Sequence, residues 1–219
     1  MISGSGHPLA YPVLTTFGAL AICLAWAPFA DLEQASMLAA VAVIVLGYTA
    51  FRLAVAFGKL PVRGLAAGTV ECRRVRQQHR LLSRSWLELE ADGRKRWLPV
   101  YFDPALVTLS VSTPRMGNGA IRIDELRLYP TGPLRDSEPT GKLIDNPARP
   151  NPDGAAHAAR SARFVHRLVL DAQFAVAAPF AALLWVYVAG GGFPAFVGAV
   201  TVAAGVATWF AAIRGSDPS

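Results

Sequence analysis

The chain has 219 residues, 53% of them hydrophobic and only 16% charged, with a net charge of +6. That balance excludes an ordinary soluble domain, because four long apolar runs leave too little polar surface to cover them. Two cysteines, Cys23 in an apolar run and Cys72 in a polar one, exclude a disulfide framework.

Residues 1–11 carry no Lys or Arg and read as a short cytoplasmic N-terminus. Without a basic leader, the run that follows is a retained first span rather than a signal peptide. Residues 12–30 (PVLTTFGALAICLAWAPFA) hold no charge, and residues 35–57 hold one, Arg52. Each reaches the roughly 20 residues that a helix needs to cross a bilayer core about 30 Å thick. Arg52 lies five residues from the end of its run, where its long side chain can snorkel to inner-leaflet headgroups.

From residue 59 to 130 the pattern changes to short alternating runs, and a cytoplasmic β module is expected there. Strands are predicted over 69–77, 86–90 and 96–102, with Asp92-Gly93 turning the second into the third. Asp103-Pro104 closes that hairpin; a further strand is predicted over 106–111, then shorter ones over 121–123 and 126–130. Pro99 cannot donate to a ladder, which places its strand at an edge or a bulge. Strands of this number and length suggest an antiparallel barrel or sandwich of SH3 or OB size. Residues 131–152 hold five prolines and read as a linker or extended arm. With Asp153 as N-cap, residues 153–189 predict a juxtamembrane helix that continues unbroken into a third span. Residues 193–213 form a fourth span, and 214–219 a cytoplasmic tail. The fold expected is therefore a four-helix membrane protein with a small β domain inserted between helices 2 and 3.

Charge sets the expected orientation. Of 21 Lys and Arg, 19 lie between residues 59 and 167, against 11 acidic residues, and none lies in the links 31–34 and 190–192. The positive-inside rule then puts both links outside, with the termini and the β module in the cytoplasm of a multi-pass inner-membrane protein. Arg94, Lys95 and Arg96 at the hairpin, and Arg160, Arg163 and Arg167 before the third span, suit anionic inner-leaflet lipid or an acidic partner, each basic residue being worth about 1 kcal/mol near such a surface. Aromatics for base stacking are few, and nucleic acid is not expected as a partner.

Asp171 is an ionisable group within a span. It stands four residues after Arg167, so an interfacial pair explains it; contact with a partner's basic residue is the alternative. Ala195, Ala199, Ala203, Ala207 and Ala211 recur every four residues, a spacing that lets helix backbones approach closely. They are the candidate packing or partner face. The sequence holds no nucleotide-binding, zinc-protease or nucleophile-elbow motif, and no catalytic residue, cofactor or metal site is expected.

The Ala-, Arg- and Pro-rich usage resembles that of actinobacterial chains. Two spans, a module around LELEADGRKRWLPVYFDPALVTLS and two further spans resemble the layout of mycobacterial LucB-like lipid uptake coordinators, which accompany Mce-type lipid importers. The resemblance implies an accessory subunit beside Mce permease subunits. The residues themselves point to a non-enzymatic accessory, stabilising or regulatory subunit of a larger membrane complex. A membrane-anchored lipid- or ligand-sensing module is the alternative, and a membrane enzyme ranks last.

Overall fold

The computed structural model describes residues 6–60, 68–91, 93–109, 114–117, 120–123, 125–145 and 152–219. They fall into two compact units. A helical unit comprises residues 11–50 and 168–213; a β unit comprises 1–10, 51–167 and 214–219.

In chain order the helices are α1 (Ala10–Trp26), α2 (Leu32–Ala56), α3 (Gly154–Ser161), α4 (Phe164–Ala172), α5 (Ala178–Ala189) and α6 (Gly192–Ile213). Among the described residues four stretches, Ala10–Phe29, Leu32–Ala56, Phe164–Ala189 and Gly192–Ile213, are long and apolar enough to cross a membrane. They are the four runs expected. At the start of α2 the Asp31 carboxylate accepts from the Gln34 N–H at 2.8 Å, which satisfies one of the orphan donors of the first turn. Gly58 (φ 74°) ends the helix in a Schellman motif, with the Gly58 N–H on Val55 O and the Lys59 N–H on Ala54 O.

The unbroken helix expected over 153–189 is interrupted twice. Asp153 does stand at the N-cap position of α3, but that helix ends at Ser161. Its buried face, Gly154, Ala158 and Ser161, is nearly free of bulk and packs on the turn Pro104–Thr108. The second interruption is a 3-10 stretch, Gln173–Ala177, directly before Pro179. Pro179 has no N–H for the carbonyl four residues back, so the turn before it tightens.

The strands are β1 (Gly68–Thr69), β2 (Glu71–His79), β3 (Leu82–Ala91), β4 (Arg94–Val100), β5 (Arg115–Gly117), β6 (Ala120–Ile123), β7 (Leu126–Leu128) and β8 (Lys142–Asp145). They make two antiparallel sheets, ordered β1-β5-β6-β7 and β4-β3-β2-β8. The β3–β4 hairpin pairs Ala91 with Arg94 across the two-residue turn read from Asp-Gly. Gly93 there takes φ +69°, a conformation that a side chain would disfavour. Register alternation then sends Cys72, Leu87, Leu89, Leu98 and Val100 to one face, where they meet Ile121, Ile123 and Leu128 of the second sheet and Leu106. Both sheets thus close on one core, each large aliphatic side chain contributing about 1.5–3 kcal/mol by burial.

Two expectations fail in this unit. The strand predicted over 106–111 is a 3-10 turn over Pro104–Thr108. Asp103 accepts from the Ala105 N–H at 2.9 Å and Pro104 presets φ at the first position, so the pair starts a helical turn instead of merely ending a strand. The arm 131–152 is not a simple linker. Its first part runs along β4, with the Trp97 N–H on Arg135 O and the Thr131 N–H on Pro99 O; its second part is β8, paired with β2. Pro99 therefore does sit on an edge strand of its sheet, with only its carbonyl used on that side. Asp92, residues 110–111 and residues 146–151 lie outside the described residues.

Candidate functional site

Within the helical unit the small residues of α6 serve two ends. At Gly205 they allow close approach: a Cβ there would come within 2.7 Å of Ile22 of α1. Towards the start of α6, Ala195, Ala199 and Ala203 form one wall of a cavity of about 420 Å³. Gln34, Met37, Leu38 and Val41 of α2 line another wall at the helical spacing i, i+3, i+4, i+7, and Trp26 and Trp185 also border it. Of the other two members of the stripe, Ala211 is buried and Ala207 is half-buried. The five alanines read as one packing face thus divide between an open cavity and packed positions.

Past the cavity, polar side chains interrupt the apolar packing. The Trp209 indole N–H donates to Thr49 Oγ1 at 3.0 Å, and Thr49 Oγ1 lies 3.3 Å from Thr16 Oγ1. Tyr48 packs edge-on to Trp209, with ring centroids 5.9 Å apart, and Ala19, Val45 and Ile213 complete a small core. Links of this kind between helices are worth about 0.6 kcal/mol on average, and up to about 1.7. Asp171, 4% exposed, accepts from the Tyr11 hydroxyl at 2.7 Å. Neither reading of Asp171 from sequence named Tyr11. The signal available was a tyrosine at one end of an apolar run and an aspartate near the end of another. Arg52 is half-buried in the last turns of α2.

No family model, curated protein or solved structure matches this chain. Its chemistry is accordingly read from its own geometry.

In the β unit the hairpin cations divide. Arg94 is exposed. Lys95 and Arg73 both hold Glu88, at 2.7 and 2.9 Å. Burial would raise the Glu88 carboxyl, but these two cations bring it below its ordinary range. Arg96 lies 3.7 Å from Asp136, a long and open contact. Arg160 and Arg163 are exposed, whereas Arg167 is buried, its guanidinium 5.7 Å from the Phe102 ring centre and donating to Ser216 O at 3.3 Å. Of the six cations assigned to headgroups, Arg167 is the one least open to them.

A buried ion pair was missed. Arg74 projects from the core face of β2 beside Ser85, and there meets Asp217 at 2.6 Å. Ser85 Oγ donates to the same carboxylate at 2.6 Å, and Ser219 donates to its other oxygen. Burial pushes the Asp217 carboxyl up, but the Arg74 guanidinium and the three hydroxyl and amide donors outweigh it and hold the group below its ordinary range. Cys72, buried nearby on the same strand, has its thiol pushed up to about 11 by burial and by the Glu71 charge. Among the described residues no three His, Cys, Asp or Glu come together as a metal site would need.

Proposed function

We propose that the chain is a four-span protein of the cytoplasmic membrane, with its termini and β unit on the cytoplasmic side, serving as a non-enzymatic accessory or regulatory subunit of a larger membrane complex. The observation that supports placing both termini and the β unit on one side is the docking of residues from both ends of the sequence onto the β unit; the cytoplasmic side follows from the positive-inside rule. His7 Nε2 lies 2.9 Å from the Tyr129 hydroxyl, and Asp217 is buried against Arg74. Segments that share one folded unit lie on one side of a bilayer, which is what an even number of spans and the positive-inside rule also require. The accessory role is supported by the helical unit itself, which keeps Phe17, Leu24, Val43 and Phe180 on its outside and offers broad apolar surface to lipid or to other helices. A Mce-type lipid importer is the partner that the layout resemblance suggests, with anionic inner-leaflet lipid meeting the exposed Arg94, Arg160 and Arg163. A second reading, a lipid- or ligand-sensing module, is favoured by the cavity beside α6.

Purification in a mild detergent tests the accessory role: co-elution with larger membrane subunits is expected, and repeated isolation as a lone monomer overturns it. Orientation is tested in a Cys23→Ser/Cys72→Ala background with an impermeant maleimide. Glu33→Cys is expected to react in intact cells and Asp153→Cys only after permeabilisation; the reverse pattern inverts the topology.

A further inference from the structure

The β1-β5-β6-β7 sheet sets arginine against arginine. Its register puts Arg122 of β6 directly opposite Arg127 of β7, and Arg115 of β5 directly opposite Arg122. Ile121, Ile123 and Leu128, which alternate with Arg122 and Arg127, are buried in the core, so these two arginines belong to the outer face. The β-carbons of directly opposed residues are about 4.5–5.5 Å apart, and like charges so placed repel. On the other sheet such cations are answered: Arg73 and Lys95 share Glu88, and Arg74 has Asp217. Among the described residues no carboxylate pairs with Arg122 or Arg127. Glu125, in the turn that joins their strands, is exposed and holds neither.

Arg127 is anchored where apolar stretches end. Its guanidinium lies over the Tyr129 ring, 5.2 Å from the centre, and reaches the Phe57 carbonyl in a long contact of 3.5 Å. Its Nε is buried with no hydrogen-bond partner, so the group keeps donor capacity unmet. Tyr129 is itself fixed by the Phe57 ring, centroids 5.9 Å apart, and by His7 at its hydroxyl. Phe57 is the first residue after α2, and His7 comes three residues before α1. The exposed Lys59 adds a cation just beyond that level. In a membrane this is headgroup depth, and the anion supplied there in quantity is lipid phosphate.

Shape selects the same anion. A carboxylate has two oxygens in one plane, which match a single guanidinium fork. Forks from two neighbouring strands need acceptors in more than one plane, and a tetrahedral phosphate has them. We infer that Arg122 and Arg127 form a binding site for the phosphate of an anionic lipid headgroup. The inference rests on the proposed membrane residence and topology, and replaces a diffuse attraction for anionic lipid with a site on named residues. An anion between the two arginines also removes the repulsion that their register builds in.

The test uses the full chain in a neutral detergent, titrated with dioleoylphosphatidate and read by native mass spectrometry. A saturable first adduct is expected, and none that saturates with dioleoylglycerol, which has the same chains and no phosphate. Arg122→Gln and Arg127→Gln should each weaken the adduct about tenfold, the scale of one lost charge-assisted contact. Arg122 is exposed, so its replacement uncovers nothing and keeps the test sound should Arg127→Gln unfold the sheet. Lys142→Gln, which removes an exposed cation from β8, should leave the affinity unchanged and controls for net charge. Affinity that survives both arginine substitutions, or that falls as far with Lys142→Gln, overturns the site. Competition by glycerol 3-phosphate at the phosphatidate concentration overturns the lipid assignment in favour of a soluble phosphate. Displacement by polyglutamate at equal charge overturns it in favour of an acidic protein segment. A chain that stays in solution without detergent overturns the membrane reading beneath the inference, a result that no substitution at the site can produce.

Discussion

The two units treat polarity in opposite ways. The β unit holds all 21 Lys and Arg, neutralises the buried Arg74 with a carboxylate and two hydroxyls, and sets the buried Arg167 against an aromatic ring and a backbone carbonyl, while Arg94, Arg160 and Arg163 are exposed. The helical unit holds none, leaves large apolar side chains outside, and satisfies its interior polar groups through a tyrosine hydroxyl, two threonines and an indole. Each pattern is the stable one for a different solvent: water rewards charged exteriors, and hydrocarbon rewards apolar exteriors with every polar group satisfied internally.

If that contrast is right, the largest loss comes from uncovering the buried cation. Asp217→Ala leaves Arg74 buried without its carboxylate and should destabilise the β unit by about 3–5 kcal/mol, read from denaturant unfolding followed by tryptophan fluorescence. Arg74→Met with Asp217→Leu should recover most of it; failure to recover would show that the pair does more than neutralise itself. The sign of the pH dependence follows. Asp217 is held below its ordinary range, so its contribution is complete above its unfolded value of about 3.9 and is lost as pH falls through the lower folded value. Between pH 5 and 8 this pair should leave the unfolding midpoint flat.

Next in size is Leu98→Ala, which opens a hole where the two sheets meet and should cost about 3 kcal/mol in the same assay. Gly93→Val forces a β-branched residue into the left-handed region and should cost about 1–2 kcal/mol, seen as a lower unfolding midpoint. The smallest effect is expected in the helical unit. Thr49→Val removes the acceptor of Trp209 and the neighbour of Thr16, and should cost about 1 kcal/mol in graded detergent denaturation. A loss there as large as that at Asp217 would mean that the two units do not differ in the way described.

Local signals were legible and long-range ones were not. Asp-Gly between alternating runs located the β3–β4 hairpin because the turn chemistry and the register it fixes are both local. Apolar length located the four long helices for the same reason. Residues 106–111 look like a strand by composition, but Asp103 and Pro104 set the local geometry first. The proline-rich arm reads as a linker because prolines favour extended backbone; that same backbone lets it lie along β4 and then pair with β2. Nothing near Asp217 in sequence announces burial: its partner is Arg74, at a separation of 143 residues. The alanine stripe was visible, yet whether small residues admit a neighbour or leave a space depends on which side chains face them: Ile22 fills the space at Gly205, whereas Ala199 borders the cavity.

That separation of 143 residues also has a meaning in time. At roughly 5–20 residues per second of synthesis, Asp217 leaves the ribosome about 7–30 s after Arg74. Throughout that interval β2 can pair with β3, but its core-facing guanidinium has no carboxylate to receive it. The β unit is thus finished last by residues that emerge after the fourth long helix, so its completion reports that the whole of that helix has already been made.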